Sequence, residues 1–169
     1  GDLSKVAATS NTFSTVVSGD DLDGDTLTFA AGSSTLTMAT ADQIAAGDTL
    51  AATGSGTTDT LNLNLSASSS GATVTSFENV NVTNNSGTAL ASFVLLGGTA
   101  TAANSAIKVT SSTDVTMGAS IGKSFDFTGL TGAAKASLTA ANTASSITVT
   151  GSANADTLDV KALTTGKAV

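Results

Sequence analysis

The candidate functional residues of this chain are aspartates, which are spaced so that they could bind a cation. Four of them, Asp20, Asp21, Asp23 and Asp25, fall within six residues that also contain Gly24. Carboxylates a few ångströms apart disfavour joint ionisation unless a cation neutralises them. Oxygen ligands of this kind suit Ca²⁺. We predict a calcium site at this acidic segment, residues 20–25, with a solvated turn before a strand as the alternative.

The tripeptide Asp-Thr-Leu occurs four times, starting at Asp25, Asp48, Asp59 and Asp156. Two copies lie in glycine frames, residues 54–61 and 151–159, that approach the calcium-binding nonapeptide G-G-x-G-x-D-x-U-x. We therefore add Asp48, Asp59, Asp156 and Asp159 to the predicted calcium ligands, against the alternative of plain turns before strands. Glu78, the single Glu of the chain, is predicted to hydrogen-bond backbone amides at a turn, with calcium ligation as the alternative.

The residue types that the chain lacks exclude most catalytic chemistry. It contains no His, Cys, Tyr, Trp or Arg, so the usual proton-transfer groups, thiol nucleophiles and anion-stabilising guanidinium groups are missing. A polysaccharide-cleaving enzyme is an alternative, and it would rely on Asp156, Asp159 and Lys161. Such enzymes stack aromatic rings on sugars, and the aromatic residues of this chain are six Phe. We predict a protein that is not an enzyme, with no catalytic residues and no organic cofactor.

The charge of the chain restricts its partners. Thirteen acidic and six basic residues give a net charge of −7 and a pI of about 4.1, so nucleic acids and anionic membranes would repel it. No apolar run approaches the roughly 18 residues that a membrane-spanning helix needs. We expect no nucleic acid partner and no membrane insertion, and we expect cations as small partners.

The segments that must position these aspartates are short strands. Apolar residues recur with period two between clusters of Gly, Ser, Asn and Thr, which is typical of strands separated by turns. The clearest alternating pairs and triplets are Leu27/Phe29, Leu61/Leu63/Leu65, Val80/Val82, Ile107/Val109, Val115/Met117, Phe125/Phe127, Ile147/Val149 and Leu158/Val160.

Strand spacing and side-chain size favour an all-β, right-handed parallel β-helix or β-solenoid with irregular rungs. Strands return at uneven intervals, and small Ala, Val, Thr and Ser side chains suit a narrow interior. A β-sandwich is the alternative, although it usually has more large aromatic residues in its core. Residues 1–32 are expected to form an edge segment or the end of a preceding domain, and residues 33–169 the solenoid-like domain.

Three pieces of sequence between residues 47 and 83 carry a family resemblance. They read Gly-Asp-Thr-Leu at 47–50, Gly-Thr-Thr-Asp-Thr-Leu-Asn-Leu at 56–63 and Ala-Thr-Val-Thr-Ser-Phe-Glu-Asn-Val-Asn-Val-Thr at 72–83. In this order they resemble the recurring cassette of calcium-dependent, RTX-like surface-layer proteins that Gram-negative bacteria export by type I secretion. The resemblance implies β-helical rungs with bound Ca²⁺ and a cell-surface lattice of copies, with any contact to lipopolysaccharide made by other parts of a longer chain.

Two structural functions compete on these grounds. The first is an extracellular, self-assembling surface-layer component that binds calcium. The alternative is a calcium-stiffened repeat module of a large secreted adhesin, because the acidic segment with the following Thr-Leu-Thr-Phe also resembles the strand-start turn of cadherin-like adhesin repeats.

Overall fold

A computed structural model of the chain describes residues 12–13, 26–28, 35–38, 49–51, 58–66, 69–75, 77–96, 105–138 and 146–161. These residues form strands and connections without a helix, and none of them belongs to a helix long and apolar enough to cross a membrane. The strands are β1 (Thr12–Phe13), β2 (Thr26–Thr28), β3 (Thr35–Met38), β4 (Thr49–Ala51), β5 (Thr60–Asn64), β6 (Ser69–Thr75), β7 (Asn79–Asn84), β8 (Leu90–Leu96), β9 (Ala106–Ser111), β10 (Val115–Ser120), β11 (Ser124–Leu130), β12 (Ala134–Leu138), β13 (Thr148–Thr150) and β14 (Thr157–Asp159).

The strands wind into a β-solenoid with two parallel sheets. Sheet 1 contains the odd-numbered strands in the order β1 to β13, and sheet 2 contains the even-numbered strands in the order β14 to β2. Each inner strand pairs with the strands two before and two after it, each edge strand pairs with one, and the pairs are parallel. The predicted solenoid is confirmed. The sandwich alternative is wrong, because a sandwich pairs antiparallel strands.

The rungs are irregular, as predicted. In sheet 1, Ala106 pairs with Ser124, which lies 18 positions later, whereas Asn79 pairs with Ala106, which lies 27 positions later. The register also shifts within the pairs β6–β8, β8–β10, β10–β12 and β9–β11. Insertions in the connections are therefore absorbed without breaking the sheets. Right-handed winding stays an expectation from the general rule for parallel strands joined by a crossover.

Columns of apolar side chains form the interior. Because alternate residues of a strand face the same side, parallel pairing in register stacks like positions from coil to coil. In sheet 1 one column contains Leu36, Leu61, Val80, Ile107 and Phe125, all buried. In sheet 2 another contains Leu90, Val115 and Ala134, also buried. All of these residues belong to a single apolar cluster.

The outer face of sheet 1 has a column of polar side chains, which are neutral in the second to fourth coils. The Asn62 amide donates to the Thr37 hydroxyl at 3.1 Å, and the Asn81 amide donates to the Asn62 side-chain oxygen at 2.8 Å. Lys108 and Asp126 continue this column in the next two coils. Amide ladders of this kind stabilise parallel stacks of like residues without adding charge.

Strands β1 and β2 lie within the segment 1–32 that was assigned to an edge or to a preceding domain. β1 pairs with β3 and β2 pairs with β4, so both strands occupy the edges of the two sheets. The other residues of this segment lie outside the described part of the chain.

The alternation along β9 predicts opposite outcomes for two neighbouring substitutions. Ile107→Ala removes a buried side chain from the sheet 1 column and should lower the free energy of unfolding by about 2–5 kcal/mol. Lys108→Ala, on the exposed face of the same strand, should change it by no more than about 0.5 kcal/mol. Chemical denaturation followed by circular dichroism measures both. Equal effects of the two substitutions would contradict the assigned inward and outward faces.

Candidate functional site

The predicted calcium ligands divide into two groups. Asp20, Asp21, Asp23, Asp25 and Asp48 lie outside the described residues. Asp59, Asp156 and Asp159 are described: Asp59 directly precedes β5, Asp156 directly precedes β14 and Asp159 ends β14. Asp59 thus belongs to the third coil and the other two to the seventh.

Asp59 lies at a corner that precedes the strands of sheet 1. We call this the upstream corner, and it contains residues 58–59, 77–78, 105 and 121–123. Asp59 is 1% exposed. Its backbone N–H donates to Oε2 of Glu78 at 2.6 Å, and its carbonyl accepts from the N–H of Asn79 at 3.1 Å. The Glu78 carboxylate therefore satisfies a backbone amide of the preceding coil, which confirms the role predicted for it at a turn.

Hydrogen bonds continue along the upstream corner through the later coils. The N–H of Ala106 donates to the Glu78 carbonyl at 2.8 Å, and the N–H of Lys123 donates to the Ser105 carbonyl at 2.8 Å. The buried Ser105 hydroxyl donates to the Phe77 carbonyl at 2.5 Å. Backbone groups that leave the sheets here are paired by the next coil, as buried backbone groups must be.

Asp156 lies at the downstream corner, defined as residues 85–89, 112–114, 131–133 and 151–156, which connect strands of sheet 1 to strands of sheet 2. Its Oδ1 accepts from the N–H of Ala134 at 2.8 Å and from the Ser152 hydroxyl at 2.7 Å, while Oδ2 accepts from the N–H of Ser152 at 2.6 Å. One carboxylate thus closes its own turn and binds the preceding coil.

Gly151 opens the glycine frame that ends in this aspartate, and the structure gives it a physical reason. A Cβ atom at position 151 would collide with Oδ2 of Asp156. The glycine is needed for the close approach of the carboxylate to the turn. The spacing of Gly151 and Asp156 in the sequence therefore reflects a closed turn, whether or not an ion is bound.

The hydrogen bonds determine the ionisation of two carboxyl groups. Desolvation raises the pKa of Asp156, but the hydrogen bonds from the Ala134 amide, the Ser152 hydroxyl and the Ser152 amide outweigh it, so the net pKa is lowered. The pKa of Asp126 is also lowered, chiefly by the Thr128 hydroxyl and backbone amide, with a smaller contribution from the charge of Lys108. Donors that favour the charged form account for both shifts.

Asp114 and Asn154 extend the same arrangement and were not found by sequence reasoning. Oδ1 of Asp114 accepts from the N–H of Ala133 at 2.9 Å. The Asn154 amide donates to the carbonyls of Thr131 at 2.8 Å and Gly132 at 3.1 Å. Asp114 directly precedes the alternating run that starts β10, so a search for Asp before any such run, rather than for Asp-Thr-Leu, would have found it.

Asn84, the last residue of β7, borders the downstream corner and is 1% exposed. Its amide donates to the Thr88 carbonyl at 2.8 Å and to the Ser111 hydroxyl at 3.3 Å, and its side-chain oxygen accepts from the N–H of Ser86 at 3.1 Å. Its polar atoms are satisfied by its own turn and by the next coil. Asn84 therefore has a structural use where β7 enters the corner.

The described part of the chain does not bring the predicted ligands together. Among residues 58–66, 77–96, 105–138 and 146–161, no group of three or more His, Cys, Asp or Glu side chains is placed to hold a metal ion. Asp159 instead accepts a hydrogen bond from the N–H of Lys161 at 3.0 Å. The predicted site at residues 20–25 lies outside the described residues and stays a prediction.

The fold and these corners define the class of the protein as a two-sheet parallel β-solenoid whose turns are closed by carboxylate, amide and hydroxyl side chains. Comparisons of the chain with protein-family models, with curated proteins and with solved structures found no match.

The hydrogen bonds of Asp156 predict a pH-dependent loss of stability. Because its folded-state pKa is lowered, its stabilising effect is present above the unfolded-state value near 3.9 and disappears as the pH falls through the folded-state pKa. At pH 7, Asp156→Asn should lower the free energy of unfolding by about 1 kcal/mol. This difference from the parent should shrink to nothing as the pH falls below about 3.9.

Asp159→Asn is the matched control, because it makes the same charge change three residues away. Denaturant titrations between pH 2 and pH 7 give the comparison. If the two variants lose the same stability at pH 7, the hydrogen bonds of the Asp156 carboxylate do not matter to the fold.

Proposed function

We propose that this chain is a structural module of an extracellular bacterial surface layer, which binds calcium and associates with copies of itself. The observation that supports it best is the pair of parallel sheets, each with seven strands around one apolar cluster. Stacked coils of this kind form an extended scaffold with a repeating surface. A protein coat needs such units, because every copy must present the same contacts to its neighbours.

The surface chemistry supports a structural rather than a catalytic role. Partly exposed positions on the described sheet 1 strands of the second, third and fourth coils are Thr and Asn, and Thr37, Asn62 and Asn81 among them are linked by hydrogen bonds. Only 11% of all residues are charged. The aspartates at the downstream corner bind backbone amides, so they are used for the fold and are not paired for acid and base catalysis.

Calcium binding rests on the acidic sequence and on two places in the structure. At the upstream corner the Glu78 carboxylate binds the backbone N–H of Asp59, and an ion there would take its other oxygen ligands from backbone carbonyls. Asp156 accepts three hydrogen bonds, and a carboxylate has about four acceptor positions, so one remains for an ion. The acidic segment 20–25 carries the densest charge and is proposed as the main site.

Calcium should raise the melting temperature of the chain. An ion bound only by the folded state adds about 2.7 kcal/mol at a hundredfold excess over Kd, which corresponds to roughly 5–10 °C for a chain of this size. Melting curves in calcium and in chelator give the shift, and magnesium tests whether any divalent ion suffices. The double variant Asp21→Asn with Asp23→Asn should lose most of the shift, whereas Asp126→Asn should keep it. Coincident curves in calcium and chelator would reject calcium binding.

The lattice part of the proposal has its own test. Electron microscopy of the protein that contains this chain should show ordered two-dimensional sheets in calcium and dispersed particles in chelator, because divalent cations reduce repulsion between acidic copies. Isolated rods at saturating calcium would reject the surface layer and favour the adhesin repeat instead.

A further inference from the structure

The outer face of sheet 1 carries one pair of charges on an otherwise neutral surface. On the described strands of this sheet the charged residues are Lys108 in β9 and Asp126 in β11. They are direct partners in the parallel register, so they occupy one column in neighbouring coils. The other members of this column are neutral: Thr37, Asn62, Asn81 and Thr150. The face therefore presents a positive and a negative charge side by side among hydroxyl and amide groups.

Both members of this charged pair are available to a partner. Lys108 is exposed and Asp126 is partly exposed. Oδ1 of Asp126 accepts from the N–H of Thr128 at 2.9 Å and from its hydroxyl at 2.7 Å. These donors hold the carboxylate in place and lower its pKa, so it is ionised at neutral pH. Both bonds end on Oδ1, and Oδ2 keeps acceptor positions for a cationic group.

A two-fold axis would place each of these charges opposite its counterpart on a second copy. The axis runs parallel to the strands, between the coils of β9 and β11 and midway between two facing sheets. Rotation about it reverses the order of the coils and keeps the position along each strand. Lys108 of each copy then faces Asp126 of the other, and the four charges alternate in sign around the axis. This face is therefore self-complementary, as the contact of a symmetric dimer must be.

The neutral positions around the charged pair also match under this rotation. Asn81 faces Thr150 of the second copy, and Ala106 faces Ser124. Hydroxyl and amide groups both donate and accept hydrogen bonds, so they can pair across the contact in either direction. Sheets that pack face to face lie about 10 Å apart, which suits side chains of this size.

The reversed order of the coils keeps the acidic parts of the two copies apart. Residues 1–84 contain nine acidic residues and one Lys, a net charge of −8, whereas residues 85–169 contain four Asp and five Lys, a net charge of +1. The four coils from β7 to β13 overlap, and the coils before β7 extend in opposite directions. A contact that kept the coil order would place Lys108 opposite Lys108 and acidic half on acidic half. Electrostatics therefore favour the reversed orientation.

We propose that the outer face of sheet 1 is a dimer contact, in which two copies of this chain pack face to face around Lys108 and Asp126. Four coils spaced about 4.8 Å apart give a small contact area, so the dimer is weak when it forms alone. The contact depends on the self-association in the proposed function and specifies one surface for it. Neither residue is a predicted calcium ligand, so the dimer should form in calcium and in chelator. In chelator such dimers are dispersed particles, whereas ordered sheets need calcium.

Sedimentation equilibrium of the full chain over a range of concentrations measures the dimer, in calcium and in chelator. Lys108→Asp should need a concentration about 10–100-fold higher for the same dimer fraction, because like charges then meet at both pairs. Asp126→Lys should weaken the dimer for the same reason. Lys135→Asp is the matched control, since it makes the same charge change at an exposed position of β12 in sheet 2 and should associate like the parent.

A mixture of the two variants tests the facing of the charges directly. At the contact Lys108→Asp has two carboxylates and Asp126→Lys has two ammonium groups, so each variant repels its own copies and attracts the other. The equimolar mixture should form heterodimers at concentrations where each variant alone is monomeric. Mixing does not restore the attraction between neighbouring coils within either variant, so improved folding would not explain the rescue. Melting curves of the separate variants show that each is folded.

Three results would overturn the proposed contact: a parent chain that stays monomeric at all concentrations, a Lys108→Asp variant that associates as well as Lys135→Asp, or a mixture that associates no better than its components. A monomeric parent that sediments with an insoluble neutral polysaccharide would assign the face to a glycan instead. The proposed function fails separately. A chain that melts higher in calcium but stays monomeric loses only this contact, whereas dimers without any calcium shift leave the contact intact and reject calcium binding.

Discussion

Stacking of each coil on the coil before it is the interaction on which the rest of this structure depends. Parallel partners lie 18 to 27 positions apart in sheet 1, so no strand there pairs with its neighbour in the chain. A single coil has two short strands and cannot bury its own apolar side chains or pair its own backbone groups. Both needs are met only by adjacent coils. Stability is therefore a sum of contacts between nearest neighbours along the solenoid.

The corners show how this stacking tolerates connections of different length. At each described corner a side chain supplies an acceptor for a backbone N–H of the adjacent coil: Glu78 for Asp59, Asp114 for Ala133 and Asp156 for Ala134. A carboxylate suits this use because it has several acceptor positions and its charge strengthens each bond. These three acidic residues of the described corners thus serve the backbone directly. A count of aspartates by itself therefore overstates how many of them are placed for a cation.

The recurrence of apolar residues at every second position was enough to locate strands such as β5, β7, β9 and β11. In these strands large apolar side chains fill the buried positions. It did not locate β12, where the interior positions are Ala134 and Ala136. An alanine column has little contrast with its neighbours, and β12 is fixed instead by stacking on Val115 and Met117. The hydrogen-bond partners of Asp114 and Asn84 could not be predicted either, since they lie 19 and 27 residues away and depend on the register between coils.

The exposed fraction of Leu158 measures what one neighbouring coil contributes. Leu61, with a coil on each side, is fully buried, whereas Leu158, at the edge of sheet 2, is 39% exposed. Most of the burial of an interior Leu therefore comes from its own coil and one neighbour, and the second neighbour adds roughly two-fifths. At about 1.5–3 kcal/mol for a fully buried Leu, that share is about 0.6–1.2 kcal/mol for each apolar position. Each coil has only a few such positions, so terminal coils are the least stable part of the solenoid, and the addition of another coil at an end stabilises the coil already there.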